Sequence, residues 1–161
     1  MSQLDAKFFK PFVDGALTTF KVQCRIEVKH LKPFLKGTQA QPTFDIAGVI
    51  GITSPSFNGS VTLCFPKKVY LKIMGNMLGE NYQEITDELK DGAAEILNII
   101  YGSAKTILNQ QGFTIQKAIP TVVYGTGLQT AHLGSGPVMV LPFTTEAGEF
   151  HIEISTEAQI G

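Results

Sequence analysis

The stretch Thr86–Gln111, TDELKDGAAEILNIIYGSAKTILNQQ, decides how the rest of the chain is read, because its apolar residues are spaced as one long amphipathic helix. At about 100° of rotation per residue, one side collects Ala93, Ile96, Leu97, Ile100, Tyr101, Ala104, Ile107 and Leu108. The other side collects Asp91, Glu95, Asn98, Gly102, Lys105 and Asn109. Thr86 stands where an N-cap belongs, Asp87 and Glu88 meet the positive end of the helix dipole, and Gly112 is a natural stop. The apolar side is a core face. On the polar side, Asp91, Glu95 and Asn98 fall at i, i+4 and i+7, and Gly102 follows one turn later. A solvated helix face gains nothing from glycine, which costs about 1 kcal/mol against alanine. Gly102 therefore points to a close approach by something outside the helix.

Working outward, residues 4–22 repeat helical spacing through Phe8, Phe12, Ala16 and Phe20, with Pro11 either kinking the helix or restarting it in its first turn. Arg25–Lys29 alternates around Ile26 and Val28 as a short half-buried strand, and Lys36–Pro42 is polar loop. Phe44–Thr53 and Phe57–Phe65 form a hairpin across Ser54-Pro-Ser56, the second strand alternating through Phe57, Gly59, Val61, Leu63 and Phe65. Lys67–Leu78 is a short helix stopped by Gly79. Beyond the long helix, Phe113–Ile119 and Thr121–Tyr124 are extended, with Pro120 as a break and Gly125–Gln129 as a turn or a new strand. Val138–Thr144 and Glu149–Ser155 make a second hairpin across Thr145–Gly148. In its last strand Phe150, Ile152 and Ile154 face a core, while Glu149, His151 and Glu153 face a more polar side. Antiparallel strands with helices on one face define an α+β class, with two long helices and one short one. Each half reads as long helix, short strand, then a pair of longer strands, which suggests an internal duplication.

A length of 161 residues fits a single domain over 1–161, able to bury roughly two thirds of its unfolded surface. The net charge of −1 argues against a partner made of nucleic acid or anionic lipid. Cys24 and Cys64 are spaced like neither a disulfide framework nor a zinc site, so reduced thiols are expected. Lys7 and Lys10 interrupt the N-terminal apolar residues, so no signal peptide is expected, and Ile46–Ile52 is too short to span a bilayer. Together these features imply a soluble, cytoplasmic protein.

Asp91-x-x-x-Glu95-x-x-Asn98, followed about twenty-two residues later by Pro120, resembles the active-site signature of the CheC/CheX/FliY phosphatases. The runs Asn98–Lys105, NIIYGSAK, and Pro120–Gly125, PTVVYG, resemble the CheX branch in particular. So do Asp5–Phe12 and the segment Lys32-Pro-Phe-Leu-Lys36. Two departures leave the signature untouched: Lys10 stands where such sequences often carry asparagine, and the Asn98-to-Pro120 gap is about one residue short. The resemblance spans nearly the whole chain. It implies a CheC-like fold with an internal pseudo-repeat. Family members with two sites carry the Glu/Asn pair on both long helices; here the first helix has no ExxN, so one site is expected.

On spacing alone the polar face is ordinary solvated surface; the resemblance turns it into a site. It implies a phosphatase for the phospho-aspartate of a CheY-type response regulator in chemotaxis or other two-component signalling. A carboxamide both donates and accepts hydrogen bonds, so Asn98 suits the fixing of an attacking water. Glu95, one turn away, suits an ion pair with a regulator lysine. Asp91 and Gly102 belong to the partner-binding surface, although Asp91 also has the simpler role of favouring the helix N-terminal half. The resemblance implies no cofactor of the chain's own, Mg2+ on the regulator, and a homodimer formed through sheet edges. The rival is a non-catalytic adaptor that docks a regulator or flagellar component; retention of both Glu95 and Asn98 favours the enzyme. His30, His132 and His151 sit on separate segments without metal-ligand spacing or a carboxylate cluster, and are expected at surface or strand positions. Gly125-Thr-Gly127 and Gly134-Ser-Gly136 open no helix and read as turns.

Overall fold

Phe8, Phe12, Ala16 and Phe20 recur every four residues, and the chain coils accordingly into α1, Ala6–Val22, with all four fully buried. The computed structural model describes residues 6–40, 42–55, 57–130 and 136–158. Asp5, Ser56, His132 and Gly134 lie outside the described residues, and only the backbone of Phe57 is described. Pro11 stands inside α1 beyond its first turn, yet the helix runs on without restarting. The two short strands β1, Lys29–His30, and β2, Phe34–Leu35, follow. Burial alternates through Ile26 and Val28 as anticipated, but residues 25–28 pair with nothing in a ladder, so the expected strand shrinks to its last residue and His30.

The central hairpin matches its sequence pattern. β3, Phe44–Thr53, pairs antiparallel with β4, Phe57–Phe65, from Ile46↔Phe65 to Thr53↔Asn58. The short helix α2, Lys67–Leu78, ends where Gly79 turns left-handed at φ 75°. Its N-cap, Pro66, has no side chain able to cap it. A register shift between Phe44 and Ile46 instead turns Asp45 out of the ladder, and its carboxylate accepts from Lys67 N at 2.6 Å and Gly127 N at 3.0 Å.

The long helix α3 spans Asp87–Gln110. Three strands follow it: β5, Thr121–Leu128; β6, Val138–Thr145; and β7, Gly148–Ala158. Residues 113–119 are not a strand, and Gly125-Thr-Gly127 lies within β5 rather than in a turn. The reason is pairing: β3 holds β5 from Thr121 opposite Val49 through to Leu128 opposite Phe44, across the bulge at Asp45. The β6–β7 hairpin is tighter than anticipated, because Thr145 and Gly148 are themselves a ladder pair.

All strands join one sheet in the order β1-β6-β7-β4-β3-β5, with β2 also on β6, and every pairing is antiparallel. Exchanging β1, β3 and β4 for β5, β6 and β7 reverses this order onto itself. The internal repeat is therefore present in the topology, each half lending its first strand to the other half's edge. Helices α1 and α3 pack together, and α3 crosses β3, with Ile46, Ile50, Ile52, Leu63, Phe65, Phe150, Ile152 and Ile154 beneath in the main core. The opposite face of β7 departs from expectation. Glu149 is exposed, but His151 and Glu153 are buried at 2% and 0% exposure.

Gly48 seats α3. A Cβ there would stand 2.8 Å from the Ala93 carbonyl oxygen and 3.3 Å from Leu97 Cβ, and the oxygen belongs to helix backbone that cannot rotate away. Gly48→Ala should lift the helix and cost about 1–3 kcal/mol, as overpacking does. Gly51→Ala on the same strand meets nothing within 4 Å and should stay within about 0.5 kcal/mol of the parent. Urea midpoints compare the two; equal stabilities would refute this seating of α3.

Candidate active site on the long helix

Local sequence builds α3 at both ends. Thr86 has the extended backbone of an N-cap at φ −81° and ψ 166°, but its hydroxyl makes no capping bond. Asp87 and Glu88 occupy the first turn, and Lys90 Nζ reaches Asp87 at 2.9 Å while lying 4.3 Å over the Tyr124 ring. That hydrogen bond and the ammonium charge hold the exposed Asp87 carboxyl below its usual range. At the other end Gly112 turns left-handed at φ 93°, Gly112 N donates to Asn109 O, and Phe113 N donates to Leu108 O, which makes a Schellman closure. Asn109 does more than face water: its side chain bonds Ile115 N at 2.5 Å and Ile115 O at 3.2 Å, tying down the loop.

The middle of the helix divides as the spacing requires. Ala93, Ile96, Leu97, Ile100, Tyr101, Ala104 and Leu108 are buried, whereas Asp91, Glu95, Asn98 and Gly102 are all exposed. Ile107 is only half-buried. Neighbours three or four residues apart on one helix face stand about 5–6 Å apart at Cβ, so the four positions form a continuous strip. Among the described residues, Asp91, Glu95 and Asn98 have no side-chain hydrogen-bond or ion-pair partner. Space above Gly102 is open, with nothing within 4 Å of a Cβ placed there. A cleft lies elsewhere, between α2 and the 79–83 turn, lined by Lys68, Lys72, Asn76 and Tyr82. A convex strip of unpaired polar groups cannot enclose a small molecule. It can enter a pocket that a partner protein supplies.

The back of the same strip is fixed by a group that spacing did not single out. Gly92 is buried, and a Cβ there would stand 2.6 Å from the Tyr70 hydroxyl and 2.6 Å from Met74 Cε. That room lets Tyr70 of α2 donate to Leu89 O at 2.5 Å. Burial, above all, holds the Tyr70 phenol well above its ordinary pKa, so it stays protonated and able to donate. Pro120 is half-buried immediately before β5, outside the helix that carries the strip.

One expectation about the histidines needs correction. His30 is exposed on β1 as anticipated, but His151 does have a carboxylate beside it: its Nε2 stands 3.1 Å from Glu153 Oε2. Cys64 is opposite His151 in the ladder, and ligand atoms of Cys64, His151 and Glu153 lie within 4.8 Å of one another. The pair His151-x-Glu153 shares one strand face and was legible locally; Cys64 joins it only through strand register. Both cysteines are free and buried.

The chain resembles known proteins along its length. Residues 46–144 match the family described as chemotaxis phosphatase CheX. A CheC-like superfamily protein from Shewanella sp. PV-4 is 33% identical and superposes with a TM-score of 0.89, covering 96% of this chain and 99% of that one. Chemotaxis protein CheX from Vibrio vulnificus is 34% identical with a TM-score of 0.89, over 94% of this chain and 100% of that one. CheX from Borrelia burgdorferi, solved as a complex with CheY, BeF3 and Mg2+, shares the fold at 23% identity and a TM-score of 0.74, over 95% and 98% of the two chains. No curated protein sequence matches the chain significantly.

Proposed function

This chain belongs to the chemotaxis phosphatase CheX family, and we propose that Asn98 and Glu95 are the residues with which it dephosphorylates a CheY-type response regulator. The observation that carries the assignment is the exposed strip on α3, where both side chains stand free of internal partners beside the open space over Gly102. The bond to be broken joins phosphorus to a carboxylate oxygen of the regulator, an acyl phosphate whose leaving group is already good. Hydrolysis then depends on placing a water in line with that bond more than on strong acid or base chemistry. The Asn98 carboxamide accepts a hydrogen bond from this water through Oδ1 and donates one through Nδ2 to a phosphoryl oxygen. The water oxygen bonds phosphorus, the phosphorus–carboxylate bond breaks, and the proton leaves with inorganic phosphate.

The Borrelia complex carries BeF3 and Mg2+ together with CheY. By analogy the regulator brings the Mg2+ that offsets phosphoryl charge here, and this chain brings no metal to the reaction. Glu95 pairs with a lysine of the regulator and sets the register of docking, with Asp91 extending the acidic end of the strip. The whole of 1–161 acts as one domain in the cytoplasm, where receiver domains work; no described helix is long and apolar enough to cross a membrane. A homodimer formed through sheet edges completes the reading, and the edge strand β5 exposes Val123 and Tyr124 at 45% and 48%.

Phosphate release from a panel of phosphorylated receiver domains, with and without the protein, tests the proposal. Acceleration for at least one CheY-type domain is expected; no acceleration for any of them would leave only an adaptor. Reversing charge at Glu95 should act on association. Glu95→Lys sets like charges together at the contact, so binding to a BeF3-activated regulator should weaken, most of all at low ionic strength where screening is small. Unchanged affinity with lost turnover would make Glu95 part of the chemistry instead.

A further inference from the structure

The sheet face turned away from the helices holds a buried polar cluster that the phosphatase reading does not use. Cys64 on β4 and His151 on β7 are direct ladder partners, and Glu153 is two residues further along the same face of β7. Their exposures are 0%, 2% and 0%. The Glu153 carboxylate is divided between two sets of neighbours. Oε1 meets Lys36 Nζ at 3.2 Å and accepts from the Thr130 hydroxyl, while Oε2 faces His151 Nε2 at 3.1 Å. Lys36 also donates to Thr130 O and Oγ1, each at 2.6 Å. The Cys64 sulfur has only a long contact of 3.9 Å to Thr62 O, so it gives up little by turning elsewhere.

We propose that Cys64 Sγ, His151 Nε2 and Glu153 Oε2 form a tetrahedral divalent metal site, suited to Zn2+, that pins β4 to β7. The ligand atoms already lie within 4.8 Å of one another. Zinc bonds of about 2.0–2.3 Å place tetrahedral ligand atoms roughly 3.3–3.6 Å apart. The His151–Glu153 separation of 3.1 Å is close to that spacing, and turning the Cys64 side chain inward closes the third corner. One sulfur, one imidazole nitrogen and one carboxylate oxygen make a borderline donor set that suits Zn2+ rather than Mg2+ or Ca2+.

Lys36 holds the other carboxylate oxygen in the manner of an outer-shell partner, orienting Oε2 toward the site. Its positive charge opposes the dication, so the affinity should be moderate. Binding expels the Cys64 proton to solvent and should tighten as pH rises. A cleft lined by Phe34, Thr43, Pro66 and Pro142 borders His151, the side from which a water would take the fourth position.

The location gives the site a structural role. β4 and β7 are the strands at which the two pseudo-symmetric halves of the sheet meet. A metal bridging them raises stability by mass action without touching the α3 strip on the opposite side.

The test is to refold the full chain with Co2+ under reducing conditions and read its absorption. One Co2+ per chain is expected, with a thiolate-to-cobalt charge-transfer band in the near ultraviolet that Zn2+ abolishes. The band should vanish in Cys64→Ser and persist in Cys24→Ser. Zn2+ should raise the melting temperature of the parent and of Cys24→Ser, but not of Cys64→Ser. Should Cys64→Ser fail to fold, X-ray absorption on the zinc-loaded parent decides, with one sulfur at about 2.3 Å expected. No band in the folded parent, a band surviving in Cys64→Ser, or a zinc shell without sulfur would each overturn the site.

Discussion

Replacing Asn98 with alanine is expected to slow dephosphorylation of the regulator by about 100-fold or more, the scale of losing a positioned transition-state donor. Folding should hardly change. Asn98 is exposed on α3 and has no described side-chain partner, so truncation opens no cavity and breaks no internal bond. Surface substitutions of this kind usually stay within about 0.5 kcal/mol. Docking should survive as well, because Glu95 and the open surface around Gly102 are untouched. The decisive comparison pairs single-turnover phosphate release with affinity for the BeF3-activated regulator. Equal release rates for parent and Asn98→Ala, in proteins that bind equally well, would remove Asn98 from the mechanism.

Gly102→Leu is expected to act just as strongly by a different route. A Cβ at Gly102 meets nothing within 4 Å, so the structure has room for a side chain, and leucine has much the better helix propensity. The melting temperature should stay level or rise. Gly102 is nevertheless only one turn beyond Asn98, within about 5–6 Å at Cβ. A leucine there should hold the phosphorylated end of the receiver away from the carboxamide. Displacement by about 1 Å can cost on the order of 100-fold in a reaction that depends on positioning. Full activity in folded Gly102→Leu would mean that the partner does not press on this turn.

These two predictions rest on the part of the molecule most legible in the sequence. The α3 strip obeys one local period, so its exposed and buried sides follow from residue spacing. The β3–β4 hairpin and α2 are legible for the same reason: alternation, turn residues and Gly79 are all local signals. What escaped the sequence depends on contacts between distant segments. Gly92 looks like any helical glycine until Tyr70 of α2 is seen filling the space beside it. Asp45 caps α2 only because a bulge turns it out of β3. Residues 125–127 resemble a turn by composition, yet pairing with β3 carries the strand through them. His151 and Glu153 alternate as a polar face should, and only the ladder to β4 together with Lys36 and Thr130 shows that face to be closed. The pseudo-twofold strand order was foreshadowed by the repeated plan of the halves, but the exchange of β1 and β5 between them is a property of tertiary pairing alone.

The central claim is that the α3 strip meets the regulator's phosphorylated aspartate with Asn98 foremost. The measurement that tests it most directly is the structure of this protein bound to a BeF3-activated, Mg2+-loaded receiver domain. The account predicts the Asn98 carboxamide at the mouth of the receiver's site, within hydrogen-bond reach, about 2.6–3.2 Å, of the water position in line with the BeF3 group. It also predicts a receiver lysine against Glu95. A receiver docked elsewhere, such as on the cleft between α2 and the 79–83 turn, or an Asn98 facing bulk solvent in the complex, would contradict it.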